Sequence, residues 1–267
     1  MIRKDEPLFN AGAAVYDSFT FLRGPAELTA GKANILPGQK VLDIACGSGW
    51  ATIVAARLAG ENGHVNGIDI ADKLLEVARQ KAASSGLLDI DYREGDIHNL
   101  DFNDSSFDVV LCASSLFLFN DIRKALSESY RVLKTGGTMI FSTFGKEVFQ
   151  PVMGLIIDHA RKLGKGPLPE SAISVTDTPE KCHAIFSNAG FENVTITEES
   201  HELLLPDKEE CWRQISASLI VRPRLSRLDP DDRKILKEEI LPELEKLTSQ
   251  RGISVDVPVI LCAVTKF

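Results

Sequence analysis

Between Lys40 and Gly145 the chain alternates short apolar, β-branched runs with amphipathic stretches of helical length. Parallel strands need long crossovers and helices supply them, so this alternation predicts repeated βαβ units around a parallel sheet. The spacing places strands near 40–45, 64–69, 89–94, 107–113 and 137–144. Between them, Ala51 to Ala59 reads as a helix ending at Gly60, and Leu74, Leu75, Val77 and Ala78 repeat at helical spacing before Gly86. A further helix over about 121–134 precedes Gly136-Gly137. Beyond Gly145 the pattern loosens. A helical run through Ile156 to Ala160 meets the breaker-rich Gly164 to Pro169, followed by a helix near 179–189, a strand near 192–205 and polar helical sequence over about 207–250. Val257 to Val264 reads as the last strand, beginning at Pro258 because proline cannot donate to a ladder.

Composition narrows the classes of partner. Hydrophobic residues at 44% and charged residues at 25% are those of an ordinary folded chain. A formal charge of −8 argues against broad attraction to nucleic acid. No run approaches the roughly 20 apolar residues of a membrane helix and the start leads into no signal-like apolar region, so a cytoplasmic location without a membrane span is expected. Five dispersed cysteines with no C-x-x-C pair or Cys/His cluster predict reduced, mostly buried thiols and no metal site.

The chemistry centres on Val41-Leu42-Asp43-Ile44-Ala45-Cys46-Gly47-Ser48-Gly49, an apolar strand running into a G-x-G turn and then a helix. Small residues there let backbone approach a nucleotide-like ligand. In the dinucleotide fingerprint G-x-G-x-x-G, the position five residues beyond Gly47 would be Gly or Ala, yet Thr52 stands there. A pyrophosphate is therefore disfavoured. Asp69 closes the second strand 20 residues after Gly49, where a carboxylate can accept both hydroxyls of a ribose.

Together these segments resemble the class I S-adenosylmethionine (SAM)-dependent methyltransferases, whose first motif is commonly V-L-D-x-G-x-G-x-G and whose second strand ends in an acidic residue. Glu94-Gly95-Asp96-Ile97 resembles the family's third-strand segment, Phe107 to Ser114 its fourth strand, and Arg131 to Gly137 the turn into its fifth. The resemblance implies an α/β fold: a doubly wound, seven-stranded, mostly parallel sheet of order 3-2-1-4-5-7-6, with the last strand antiparallel and a helical cap. One domain over 1–267 is expected, with an N-terminal helical cap (1–36), a cofactor-binding core (39–145), acceptor-pocket and cap segments interleaved with the sixth strand (146–252) and a final strand (256–266).

The resemblance also assigns roles. Asp43 orders the glycine loop, Gly47 and Gly49 admit the methionine part of SAM, and Asp69 with Ile70 meets the ribose. Asp96 and Ile97 hold adenine, and Ala113 and Ser114 lie beside the methionyl amino end. Ala45 replaces the family's first glycine, which is tolerable if it keeps a negative φ. Trp50 and Tyr16 are candidates to face the cofactor, where a sulfonium over an aromatic ring would gain about 0.5–2 kcal/mol. Asp69 has a second reading as a cap of the following helix, and Trp50 as a packing residue.

Methyl transfer from a sulfonium is an in-line displacement, so positioning and exclusion of water are the main requirements and no catalytic side chain is obligatory. His64 and His98 read as surface or loop residues. His159, His183 and His201 fall in the variable region without marking a base. Arg222, Arg224 and Arg227 form a basic cluster suited either to an anionic acceptor or to solvent. No N/D-P-P-Y/F run follows the fourth strand, where Ala113-Ser114-Ser115-Leu116 stands instead, which disfavours nucleobase or glutamine nitrogens as acceptors. Leu116 to Asp121 resembles the ubiquinone/menaquinone-biosynthesis and natural-product branch of the family. The expected activity is methyl transfer to an oxygen or carbon of a small, lipophilic or aromatic molecule. The alternatives are an NAD-dependent oxidoreductase, which would not explain Asp96, and a non-catalytic SAM-binding protein.

Overall fold

The run Val41-Leu42-Asp43-Ile44 is at most 1% exposed at every position, as a strand covered by helices on both faces requires. A computed structural model, which describes residues 6–267 with side chains from Phe9 onward, makes this run the body of the central strand β1 (Lys40–Ile44). The other strands are β2 (His64–Asp69), β3 (Ile90–Glu94), β4 (Phe107–Cys112), β5 (Leu133–Phe144), β6 (Thr195–Leu205) and β7 (Ile253–Thr265). They form one sheet in the order β3-β2-β1-β4-β5-β7-β6. Pairing is parallel from β3 through β5, and β7 runs antiparallel to both β5 and β6. Order and orientation are those expected from the sequence.

Alternation along the strands sorts the core onto two faces. Leu42, Ile44, Val110, Cys112 and Phe141 pack with Leu126 of α5 (Ile122–Val132) and Phe186 of α7 (Pro179–Asn188). Val41, Val109, Leu111 and Ile140 pack with Ala30 of α2 (Arg23–Lys32) and Ala55 of α3 (Trp50–Ala59). Each such aliphatic side chain contributes about 1.5–3 kcal/mol by its burial. Helix starts follow local chemistry: Asp121 caps α5 by accepting from Lys124 N, and Thr178 caps α7 just before Pro179. Asp207 and Asp229 do the same for α8 (Lys208–Ala217) and α10 (Pro230–Lys246), each satisfying an amide with no partner inside its helix.

The N-terminal segment includes α1 (Glu6–Tyr16), with Ala13 packed on Ala71 and Leu74 at the start of α4 (Asp72–Ser84). The beginning of the expected cap, residues 1–5, lies outside the described residues. Opposite, β6 and β7 outrun β5. Leu203, Leu205, Ile253, Val255 and Val257 join a cluster with Phe149, Met153 and Ile156 around α6 (Val152–Lys162), with Ile215 of α8 and with Leu236 and Ile240 of α10.

The last strand begins at Ile253, not at Pro258 as the sequence suggested. Pro258 is interior, opposite Ser200 of β6. Its carbonyl accepts from Gly145 N. A strand residue's N–H and C=O point to the same side, so the missing N–H faces the edge where β5 has just ended at Phe144. The alternately buried Ile253, Val255 and Val257 account for the extra length.

Candidate functional site

The turn after β1 is built from left-handed residues: φ is +54° at Ala45, +54° at Gly47 and +85° at Gly49. The expectation of a negative φ at Ala45 is thus corrected. The turn keeps the conformation that glycine supplies freely, and the Ala45 methyl group is strained in it. Ala45→Gly should therefore raise stability by about 1 kcal/mol, the relieved strain exceeding the added freedom of the unfolded chain. Urea unfolding checks this; a less stable variant would show that the methyl group's packing outweighs its backbone cost.

The two glycines serve different ends. A Cβ on Gly47 would meet the Tyr16 hydroxyl at 3.4 Å, so α1 lays its last residue over this point of the turn. A Cβ on Gly49 would come within 2.7 Å of the Tyr92 hydroxyl and 3.1 Å of the Ala78 methyl. Gly49 is needed for α3 to start close against β3 and α4.

Two buried carboxylates hold the turn. Asp69 accepts from Gly47 N at 2.8 Å through one oxygen and from Ala71 N at 2.9 Å through the other. Asp69 thus ties the turn to the segment entering α4 but does not cap that helix, whose N-cap position is Ala71 with no side-chain cap hydrogen bond. Burial pushes its pKa up, with the backbone N–H groups of Ala71, Gly47 and Ile70 pulling the other way. Asp43 accepts from the Thr52 hydroxyl at 2.5 Å, so the residue that departs from the dinucleotide fingerprint instead anchors the loop carboxylate to α3. Burial pushes the Asp43 pKa up to about 7, with the Thr52 hydrogen bond opposing and the charge on Asp69 reinforcing.

Above the turn lie two cavities of about 300 Å³ and 80 Å³ that share Phe9, Tyr16, Ala45, Gly47, Ser115 and Leu118 as walls and so form one bent cleft. The smaller limb is lined by Asp69, Ile70, Asp96 and Ile97. The larger begins at Asp43, Ala113 and Ser114, and widens between Phe19, Phe21, Leu22, Phe117 and Phe144 on one hand and residues 217–220 with Arg222 on the other. Of the residues predicted for the site, only Gly49 does not line the cleft, for the packing reason given above.

Among the described residues, three polar atoms of the cleft are buried without a hydrogen-bond partner: Asp43 Oδ1, Ser114 Oγ and His98 Nε2. Ser114, like Ala45, is left-handed, with φ +54°, and its amide is held by the Ser142 hydroxyl at 2.8 Å. His98 corrects the sequence reading. It is 7% exposed, not a surface residue, it lines the smaller limb, and its Nδ1 sits 2.8 Å from Asp96 Oδ1. That oxygen also accepts the His98 backbone N–H. Since a carboxylate oxygen only accepts, Nδ1 carries a proton in this contact, and Nε2 is the ring nitrogen left without a partner. A polar residue two positions after Asp96, just past the end of β3, was the available signal.

Trp50 lines the larger limb, but its ring already carries Lys81 Nζ at 3.6 Å and the Arg23 guanidinium at 4.7 Å from its centroid, so it packs against cations of the chain. Lys81 also reaches Asp17 at 2.9 Å and Ser48 Oγ at 3.0 Å, and Ser48 donates to Asp17. This knot fastens the end of α1 to the glycine turn. Tyr16 stands where the two limbs meet, and burial with the nearby Asp69 and Asp17 charges raises the pKa of its phenol, which stays protonated and able to donate. His159 is held by Leu155 O within α6, His183 contacts Ser187, and the His201 ring lies against Gly24. None of the three lines the cleft. Among the described residues no group of three or more His, Cys, Asp or Glu side chains is placed to hold a metal, and no helix is long and apolar enough to cross a membrane.

Comparison with known proteins agrees with this geometry. The family model described as a methyltransferase domain matches residues 35–190. The ubiquinone/menaquinone biosynthesis C-methyltransferase UbiE of Cronobacter sakazakii is 32% identical over 208 residues, covering 70% of this chain and 82% of that protein. The YcgJ protein of Bacillus subtilis superimposes with a TM-score of 0.57 at 19% identity over 91% of this chain and 99% of its own. The arsenic(III) S-adenosylmethionine methyltransferase of Chlamydomonas reinhardtii does so with 0.51 at 25% identity, over 86% of this chain and 64% of its own. Neither the oxidoreductase nor the non-catalytic alternative draws support from these matches. With motif, strand order and relatives in agreement, the chain belongs to the methyltransferase domain family and is a class I SAM-dependent methyltransferase that acts on a small molecule.

Proposed function

We propose that the larger limb of the cleft receives a lipophilic or aromatic acceptor and that the methyl group passes to one of its carbon or oxygen atoms by direct in-line displacement. The observation that carries this reading is the continuity of an aromatic-walled cavity, with Phe19, Phe21, Phe117 and Phe144, with the limb that bears Asp69 and Asp96. The related protein's name specifies a carbon acceptor in quinone biosynthesis, and an aromatic-walled cavity suits such a ring. Acidic charge and a narrow apolar cavity favour a small molecule over nucleic acid. Five unpaired buried cysteines suit a reducing cytoplasm.

In this reading the three orphaned atoms are cofactor contacts. Asp43 Oδ1 and Ser114 Oγ, beside Ala45, Gly47 and Ala113, take the amino-acid end of SAM. Asp69 keeps lone pairs for the ribose hydroxyls next to Ile70. Asp96 and Ile97, joined by His98 Nε2, take the adenine. Bound SAM supplies the electrophilic methyl group on sulfonium. The chain's own contribution is orientation and exclusion of water: Tyr16 closes the bend over Gly47 as a neutral hydrogen-bond donor, and the phenylalanines hold the acceptor in a dry space. No residue forms a covalent intermediate. Residues 39–145 supply the cofactor contacts in this scheme, while Phe117 and Phe144 of that span join residues from the 9–36 and 146–252 segments on the acceptor side.

Calorimetry with SAM, S-adenosylhomocysteine and NADH, followed by S-adenosylhomocysteine release from a panel of acceptors, tests the proposal. The first two ligands should bind and NADH should not, and turnover should rise with the acceptor's apolar surface among phenols, quinols and long-chain amphiphiles. Turnover confined to small hydrophilic amines would overturn the acceptor reading.

A further inference from the structure

The basic cluster Arg222-Pro223-Arg224 with Arg227 is divided by the fold. These residues begin and follow the short helix α9 (Arg222–Leu225), and their side chains go separate ways. Arg224 turns inward, with a terminal nitrogen 3.4 Å from Met153 Sδ. Arg227 is exposed and does not line the cleft. Arg222 is exposed as well but forms part of the lining of the larger cavity. Two other arginines are neutralised: Arg23 pairs with Glu27 at 2.8 Å and Arg213 with Glu210 at 2.6 Å. Arg222 has no hydrogen bond or ion pair with any other described side chain, although acidic residues outnumber Lys and Arg by 38 to 30 in this chain.

We propose that Arg222 binds an acidic headgroup, a carboxylate or phosphate, on an otherwise lipophilic acceptor, and thereby sets which end of that molecule faces the methyl group. This rests on reading the larger limb as the acceptor site. Beyond the polar methionine end, the walls of that limb are aromatic and aliphatic apart from Arg222 and the serines. The Ser218 hydroxyl is spent locally: it donates to Ile215 O and accepts from Val221 N. A guanidinium's planar fork fits two oxygens of one acidic group at once. The strongly acidic chain repels anions in general, so an acidic acceptor needs a local cation of this kind, and residues 217–222 bring one to the cavity without touching the smaller limb.

The test uses the full chain saturated with S-adenosylhomocysteine and titrated with dodecanol, dodecanoate and dodecyl phosphate at fixed salt. Dodecanoate or dodecyl phosphate should bind about tenfold or more tightly than dodecanol, and the two anions together report which headgroup is preferred. Arg222→Gln should erase that preference and Arg222→Lys should keep part of it. Arg227→Gln should leave it intact, and all three variants should keep wild-type affinity for S-adenosylhomocysteine, which verifies a folded site. Equal binding of alcohol and anions by the wild type, survival of the preference in Arg222→Gln, or its equal loss in Arg227→Gln would overturn the role of Arg222 while leaving the lipophilic site standing. Failure of all three alkyl probes to bind would overturn the lipophilic reading as well.

Discussion

Asp43→Asn should make the ligand-free protein more stable at pH 8 and weaken its binding of SAM by one to two orders of magnitude. The carboxyl is 1% exposed and accepts from Thr52 through one oxygen, while the other has no partner. Its pKa is pushed up to about 7 from an ordinary 3.8, burial being the first cause. A raised carboxylate pKa means that the folded state holds the proton more tightly than the unfolded state. The group's contribution to stability is therefore intact below about pH 4 and is lost as pH rises through 7. By linkage that loss is on the order of 4 kcal/mol at high pH. The substituted amide keeps an acceptor for Thr52 and removes the charge, but brings an unpaired N–H₂ of its own, so a net gain of about 2 kcal/mol is expected at pH 8. Urea unfolding at pH 8 and pH 4 measures it, and the gain should largely vanish at the lower pH. The affinity loss follows from the orphaned oxygen, since a charge-assisted hydrogen bond is worth about 1.5–3 kcal/mol. A variant that binds SAM like the wild type would return Asp43 to a purely structural role.

The same residue shows what could be read from the sequence and what could not. Val41 to Ile44 announces a covered strand because three of its four positions are apolar, whereas the alternation gives only βαβ units and the sheet order comes from the family resemblance. Asp69 was legible because it ends its strand at a fixed distance from the glycine turn, and Asp96, two residues past the end of β3, through the resemblance of Glu94-Gly95-Asp96-Ile97 to the family segment; strand ends converge on one edge of a parallel sheet. His98 was not, because its burial depends on Asp96 Oδ1 and on Phe119, whose ring stands 6.0 Å away across the cleft. Ala45 was misread in conformation although its place was right: the turn is imposed by the Gly47–Asp69 hydrogen bond from outside the motif. Pro258 was misread because its missing N–H matters only where a neighbour strand continues, and β5 stops there. The walls of the larger limb come from Phe19, Phe117, Phe144 and residues 217–220 with Arg222, widely separated segments with no shared periodicity, and only the fold brings them together.

Asp69 carries the second large effect, and the structure changes what its removal should do. With the carboxylate gone, Asp69→Ala leaves Gly47 N and Ala71 N without their acceptors, and each unpaired buried amide costs about 1–3 kcal/mol. The variant should lose about 2–4 kcal/mol of stability and bind SAM about a hundredfold more weakly, because the glycine turn loses its tether at the same time as the ribose loses an acceptor. Asp69→Asn separates the two. Its single carbonyl oxygen can serve one of the two amides, while its N–H₂ meets the other donor, so the turn is still disturbed though less exposed to water. Titrating wild type and Asp69→Asn with S-adenosylhomocysteine and its 2′-deoxy analogue then forms a cycle in which one change is on the protein and the other on the ligand. If Asp69 touches the ribose, deleting the 2′-hydroxyl should cost the wild type about tenfold and the variant almost nothing. Equal costs in both proteins would mean that Asp69 acts on affinity only by holding Gly47, and the ribose contact would have to be assigned elsewhere in the smaller limb.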